Sequence, residues 1–166
     1  MLDSATESDS NKAIAICWIS HLVGDAHQPC HAGSLYIEHV FDTKDGDRGA
    51  NSILTKQSRN MHALWDGLLG RDFDEGDVNR RAAEIKNIDA KPIEVANVET
   101  WLQESRQGAL TAVYAPEVLE PITVAMRAQS GSFAVLNLSE EYLKSAGKFA
   151  QLRAMQAAKR LAETLK

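Results

Sequence analysis

The chain holds only five histidines, and three of them, His21, His27 and His31, fall within one eleven-residue run, HLVGDAHQPCH. His21 and Asp25 stand four residues apart, as do His62 and Asp66. On a helix, that spacing puts both side chains on one face, about 6 Å apart along the axis, where they can share one divalent cation. One such pair is weak grounds for a metal, because the same spacing makes ordinary imidazole–carboxylate contacts on solvated helix faces. Two pairs among five histidines, with His31 beside the first, make the metal reading the sharper one. Imidazole nitrogen plus carboxylate oxygen is a mixed donor set that zinc accepts, with positions left open for water and substrate. The chemistry that follows is hydrolysis: zinc brings water to reactivity near neutral pH, and two or more ions stabilise the attacking and leaving oxygens of a displacement at phosphorus. The sequence holds no HExxH, Glu-x-x-His pair, His-Asp dipeptide, GxxxxGK[ST] or GxSxG, which excludes the other reaction classes those strings mark. His27 is expected in the core or behind the ligands, hydrogen-bonded to backbone, and His39 at the surface.

The elements that position these residues read as helices. Apolar residues Ala13, Ile16, Cys17, Ile19, Leu22 and Val23 recur at helical spacing, which predicts a buried helix over 11–24, capped by Asp9 or Ser10. Pro29 and Gly33 break it, and DTKDGDRGANSILTKQ reads as a turn-rich loop with a short strand over 52–55. Asn60 is an N-cap for a second helix that reaches Leu69, stops at Gly70 and carries His62, Leu64, Trp65 and Asp66. Further helices are expected over 76–86, over 97–114 after a loop at Lys91 and Pro92, and over a proline-punctuated stretch to Met126. The last opens at Ser139, with Glu140 and Glu141 complementing its dipole and Tyr142, Ala146, Phe149, Leu152 and Leu161 on one face. Trp65 and Trp101 belong in the core. The fold class is all-α: one domain over 1–166, with a polar segment over 1–12 and a hairpin-like loop insertion.

Bulk properties narrow the function. At 44% hydrophobic and 25% charged residues the chain is ordinary globular protein, and no apolar run approaches the roughly 18 residues of a membrane span. Eighteen Lys and Arg against 23 Asp and Glu leave a net charge of -5 without a basic stripe. That balance counts against sequence-tolerant duplex binding by counterion release on the protein's own charge, and a polyanionic substrate must be attracted by bound cations. The opening MLDSATESDS lacks the basic-then-apolar plan of a secretory signal. Cys17 and Cys30 follow no zinc-finger spacing and read as small buried side chains, with a disulfide between them as the lesser alternative.

The strings HLVGDAHQPCH, GDRGAN and NMHALWD resemble the HFxGDxHQPLH, GDxGGN and NLHxxWD motifs of the S1/P1 nucleases, in the same order and at compatible spacing. WLQES and QAAKRLAETL resemble that family's WAxES and AGxRLAxxL segments, so the resemblance spans 13–165. It implies three zinc sites. His31, His62 and Asp66 match one whole site, and His21 with Asp25 matches half of a second. Asp25 also matches the carboxylate that bridges to a third and positions the nucleophile, which makes it the implied catalytic residue. At least one zinc ion is expected here. The remaining ligands come, in the family, from the mature N-terminus and from upstream His and Asp residues. The resemblance therefore implies an N-terminally truncated form, or a separate chain that supplies them. It further implies single-stranded DNA or RNA and 3'-nucleotides as substrates, and a secreted or periplasmic location. Ala50 for a family Gly and Cys30 for a Leu remove no ligand. Asp66 and the GDRGAN loop point away from the related bacterial phospholipases C, which carry Glu at the matching place and lack the loop. A phospholipase C-like phosphodiesterase and a non-catalytic zinc-binding helical domain are the alternatives. Tyr36 and Ile37 are candidates for a base pocket or for simple loop packing.

Overall fold

Five of the six α-helices among the described residues start on a side chain whose oxygen accepts a backbone N–H of the first turn. A computed structural model describes residues 6–72, 74–88 and 97–166; the loop expected at Lys91 and Pro92 lies outside them. Ser8 caps α1 (Asp9–His27), Asn60 caps α2 (Met61–Asp66) and Asp74 caps α3 (Glu75–Lys86). Asn97 caps α4 (Val98–Gly108), and Ser139 caps α6 (Glu140–Thr164). α5 (Pro116–Arg127) instead opens on Pro116, whose missing N–H is no loss in a first turn. The helix expected over 97–114 is α4 followed by a wider π-type turn, Ala109–Val113. The fold is all-α.

The main core gathers Ile53, Met61, Trp65, Val113, Val118 and Ile122 around Tyr142 of α6. Trp65 Nε1 donates to the Tyr142 hydroxyl at 3.1 Å, and that hydroxyl donates to the Val113 carbonyl at 3.1 Å, so both polar tips are satisfied inside this core. A smaller cluster of Val23, Ala26 and Trp101, backed by Ile19, Ala157 and Leu161, ties the C-terminal half of α1 to α4 and α6. Both expected core tryptophans, Trp65 and Trp101, are buried.

Several expectations need correction: α1 is capped by Ser8 rather than by Asp9 or Ser10, and α2 ends at Asp66 rather than reaching Leu69. α1 is not a buried helix: Val23 is buried and Ile19 half-buried, whereas Ala13, Ile16, Cys17 and Leu22 are exposed. It is apolar nearly all round, and the described residues cover one side only, leaving Ile14, Trp18 and Leu22 more than half exposed. Cys17 is accordingly on the surface while Cys30 is buried; both are free, and no disulfide joins them. The strand expected over 52–55 is replaced by an isolated parallel bridge between Thr55 and Leu136, because no neighbouring segment runs alongside for longer. The hairpin-like insertion is a tight turn closed by an antiparallel bridge between Asp42 and Gly46. Among the described residues no helix is long and apolar enough to cross a membrane.

Candidate metal centre

Three local devices bring the donors together. α1 carries His21 and Asp25 through its last two turns and ends at His27. Gln28 then caps a 3-10 turn, Pro29–His31, that reverses the chain and delivers His31. α2 is short, and Asn60 fixes its start by accepting the Ala63 N–H at 2.8 Å, so His62 and Asp66 sit one turn apart on its outer side. The result is that one donor atom each from His31, His62 and Asp66 lies within 4.8 Å of the others. The His31 and His62 rings stack with centroids 5.0 Å apart.

The individual contacts give these side chains distinct roles. His62 Nδ1 lies 2.7 Å from the Gly49 carbonyl. A carbonyl can only accept, so Nδ1 carries the ring proton and Nε2, 3.7 Å from Asp66 Oδ2, keeps its lone pair for a cation. Gln28 Nε2 donates to Asp66 Oδ1 at 2.9 Å and holds that carboxylate from the other side. Asp25 faces two ways, with Oδ2 3.2 Å from His21 Nε2 and Oδ1 3.4 Å from His31 Nδ1. Two nitrogens and a carboxylate oxygen suit zinc. At zinc–ligand distances of roughly 2.0–2.2 Å an ion spans donors up to about 4.4 Å apart, so a small side-chain rotation closes the set. Among the described residues no other three His, Cys, Asp or Glu donors come this close.

A profile of the S1/P1 Nuclease family matches residues 1–166. The chain belongs to the S1/P1 nuclease family. It is similar to Endonuclease 4 of Arabidopsis thaliana, 28% identical over 174 residues that cover 99% of this chain and 55% of that protein. Endonuclease 3 of the same plant is 30% identical over 162 residues, covering 93% of this chain and 51% of that protein. For Endonuclease 2 the identity is 26% over 171 residues, with 98% and 54% covered. The chain thus spans about half the length of these relatives, and no solved structure matches it significantly.

Behind the donors, this S1/P1 nuclease chain carries a buried ionic network that the sequence reading did not assign. Glu104 of α4 accepts from Arg160 through both oxygens, at 2.7 and 2.9 Å, and from Arg153 at 2.7 Å. Those hydrogen bonds, Arg160's first, hold the Glu104 carboxyl down at about 2. Arg153 also donates to the His27 carbonyl at 3.2 Å and to Ser105 Oγ at 2.7 Å, and Ser105 in turn donates to the Ala26 carbonyl at 2.6 Å. The last carbonyls of α1, directly after Asp25, are therefore fixed by side chains from α4 and α6, which satisfies groups a helix end leaves open. His27 sits in this network as expected, buried, with Nδ1 donating to the Val23 carbonyl and Nε2 accepting from Arg160 at 2.9 Å. Burial chiefly, and the two arginines, push its pKa down to about 4. The signal for these residues lay in WLQES and QAAKRLAETL, which contain Glu104, Ser105 and Arg160.

The other expectations divide. His39 is on the surface. Ile37 packs against the main core, whereas Tyr36 is 65% exposed beside His31. His21, with 63% of its side chain exposed, meets Asp25 and the edge of Trp18. A cleft of about 340 Å³ borders the donors, lined by Asp25, His31 and Asp66 together with Trp65, Leu69 and Ala154.

Proposed function

We propose that this chain is the metal-holding part of a zinc-dependent nuclease that hydrolyses phosphodiester bonds of single-stranded DNA or RNA and the phosphate ester of 3'-nucleotides. One observation carries the reading: His31, His62 and Asp66 converge from two separate elements in a chain whose relatives are endonucleases. A bound zinc ion supplies Lewis-acid charge and activates water for attack at phosphorus. His31, His62 and Asp66 hold one ion. Asp25 presents one oxygen towards His31 and the other towards His21, the arrangement of a carboxylate that bridges neighbouring positions and orients the attacking water. Beside His31 an open hollow is bordered by the exposed Tyr36 with Arg48 and Arg106, an aromatic face and two cations suited to an unstacked base and its phosphates.

His21 and Asp25 are two ligands of a further position whose other ligands lie outside the described residues. The exposed stripe of Ile14, Trp18 and Leu22 runs along α1 up to His21, and it is the face on which the rest of the S1/P1 fold, or a separate chain supplying those ligands, seats. The deciding assay uses the purified chain in excess zinc on single-stranded DNA and on a 3'-nucleotide, with Asp25→Asn alongside. With one complete ligand set the chain alone gives turnover orders of magnitude below that of a chain with its cluster completed, because a single ion does not clamp both attacking and leaving oxygens. Robust turnover that Asp25→Asn leaves untouched would refute the role of Asp25. Robust turnover that Asp25→Asn abolishes would show that this chain completes its own cluster.

A further inference from the structure

Three successive residues of the GDRGAN loop are left-handed: φ is +59° at Arg48, +61° at Gly49 and +67° at Ala50. For a residue with a Cβ this conformation costs on the order of 1 kcal/mol, so Arg48 and Ala50 hold it only because their surroundings impose it. Gly49 is required where it stands, since a Cβ there would fall 2.4 Å from the Cys30 carbonyl oxygen. What imposes the turn is Asp47, whose residue is 0% exposed. Its Oδ1 accepts from Ser34 Oγ at 2.8 Å and from the Leu35 N–H at 3.1 Å, and its Oδ2 accepts from the Tyr114 hydroxyl at 2.8 Å. Ser34 Oγ accepts the Gly49 N–H at 3.2 Å, which links the buried carboxylate to the middle of the turn. The carbonyl of the same residue, Gly49, opens the next peptide unit and lies 2.7 Å from His62 Nδ1, so the left-handed backbone of Gly49 connects the two hydrogen bonds.

We propose that Asp47 is a positioning residue of the metal centre: through Ser34 and the left-handed turn it fixes the Gly49 carbonyl on His62 Nδ1 and thereby decides which ring nitrogen faces the metal. The inference rests on the reading of His62 as a zinc ligand and goes beyond it, because it assigns the work of a loop that touches no metal. A histidine can ligate through Nε2 only while that nitrogen is unprotonated, and which nitrogen holds the proton is set by the hydrogen bond the other makes. Releasing the turn frees the ring to place its proton on Nε2, opposite Asp66, where it competes with the cation. A partner of this kind changes metal affinity by roughly 10–100-fold.

The test compares the full chain with Asp47→Asn, with Ser34→Ala, and with Val118→Ala, a fully buried core position away from the turn, as a stability control. Long-range ¹H–¹⁵N spectra of the metal-free protein read the His62 tautomer, and competition titration reads zinc affinity. The expected result is an Nδ1–H tautomer in the parent, mixed tautomers with zinc binding weakened about 10–100-fold in Ser34→Ala and Asp47→Asn, and parent-like values in Val118→Ala despite its lower melting temperature. Ser34→Ala removes the link, and with it a 3.3 Å hydrogen bond to the Asp45 carbonyl, while leaving the Asp47 carboxylate in place, so it decides the matter even if Asp47→Asn does not fold. A folded Ser34→Ala with the parent's tautomer and zinc affinity overturns the proposal, and so does an equal loss of affinity in Val118→Ala. A parent that binds no zinc, yet whose tautomer responds to Ser34→Ala, sinks the zinc reading and supports the link from Asp47 to His62.

Discussion

The two His-x-x-x-Asp pairs have the same spacing and opposite surroundings. In α2, His62 has 19% of its side chain exposed, its Nδ1 is held by the Gly49 carbonyl, and Gln28 holds Asp66. In α1, His21 has 63% of its side chain exposed and leans on Asp25 and Trp18. Spacing puts two donors on one helix face in both cases, but only the first pair has its ring orientation and carboxylate set before a cation arrives. A ligand prepared in this way loses less freedom on binding, which is what separates a site that fills at low metal concentration from one that waits for further ligands.

The largest expected effect comes from removing a prepared ligand. His62→Ala is expected to lower zinc affinity by more than about 100-fold, beyond what loss of a supporting group does, and to abolish the rise in melting temperature that zinc gives the parent. Equal melting curves for the parent with and without chelator would sink this prediction.

Next is Glu104→Gln, which tests the scaffold behind Asp25 rather than a ligand. It leaves Arg153 and Arg160, 4% and 3% exposed, without their shared counter-charge, and is expected to cost a few kcal/mol in urea unfolding at pH 7, moderated because Glu104 is itself partly solvated. The folded carboxyl titrates near 2 and the unfolded one near 4.5, so the stabilisation is complete above pH 4.5 and disappears as pH falls towards 2. Parent and variant should therefore converge in stability across that window. A constant gap down to pH 2 would mean that Glu104 contributes shape rather than charge.

Gln28→Ala should weaken zinc binding by about 10-fold, because it frees Asp66 and uncaps the turn that delivers His31 without removing either ligand. The smallest effect belongs to His21→Ala, which in the isolated chain is expected to shift zinc affinity at the prepared site by less than about 3-fold. Isothermal titration of both variants reads this directly, and a larger loss in His21→Ala than in Gln28→Ala reverses the ranking of the two pairs.

The helices and the two His-x-x-x-Asp pairs were legible because both depend on local spacing, whereas the grouping of His31 with His62 and Asp66 came only from the family resemblance. Asn60, Asn97 and Ser139 marked helix starts correctly, and His31, His62 and Asp66 came together as one group. Burial of α1 was not legible. Its apolar residues point in nearly every direction, and periodicity cannot say which of them another element covers. The turn at 48–50 was hidden for a related reason, since of Arg48, Gly49 and Ala50 only the glycine announces a left-handed backbone. Glu104 finds its arginines 49 and 56 residues away, a pairing that no local pattern encodes.

Trp18 has one more consequence. Of the three tryptophans, Trp65 and Trp101 are buried and Trp18 is 60% exposed, with the His21 ring at its edge. Its indole is the natural target for an aqueous collisional quencher such as iodide or acrylamide, and its emission should lie to the red of the other two. The chain therefore carries a built-in optical probe midway along the exposed face of α1, against His21. A blue shift together with lost quenching reports a protein surface closing over that face, and quenching by cobalt(II) or copper(II) without a shift reports an ion arriving at His21.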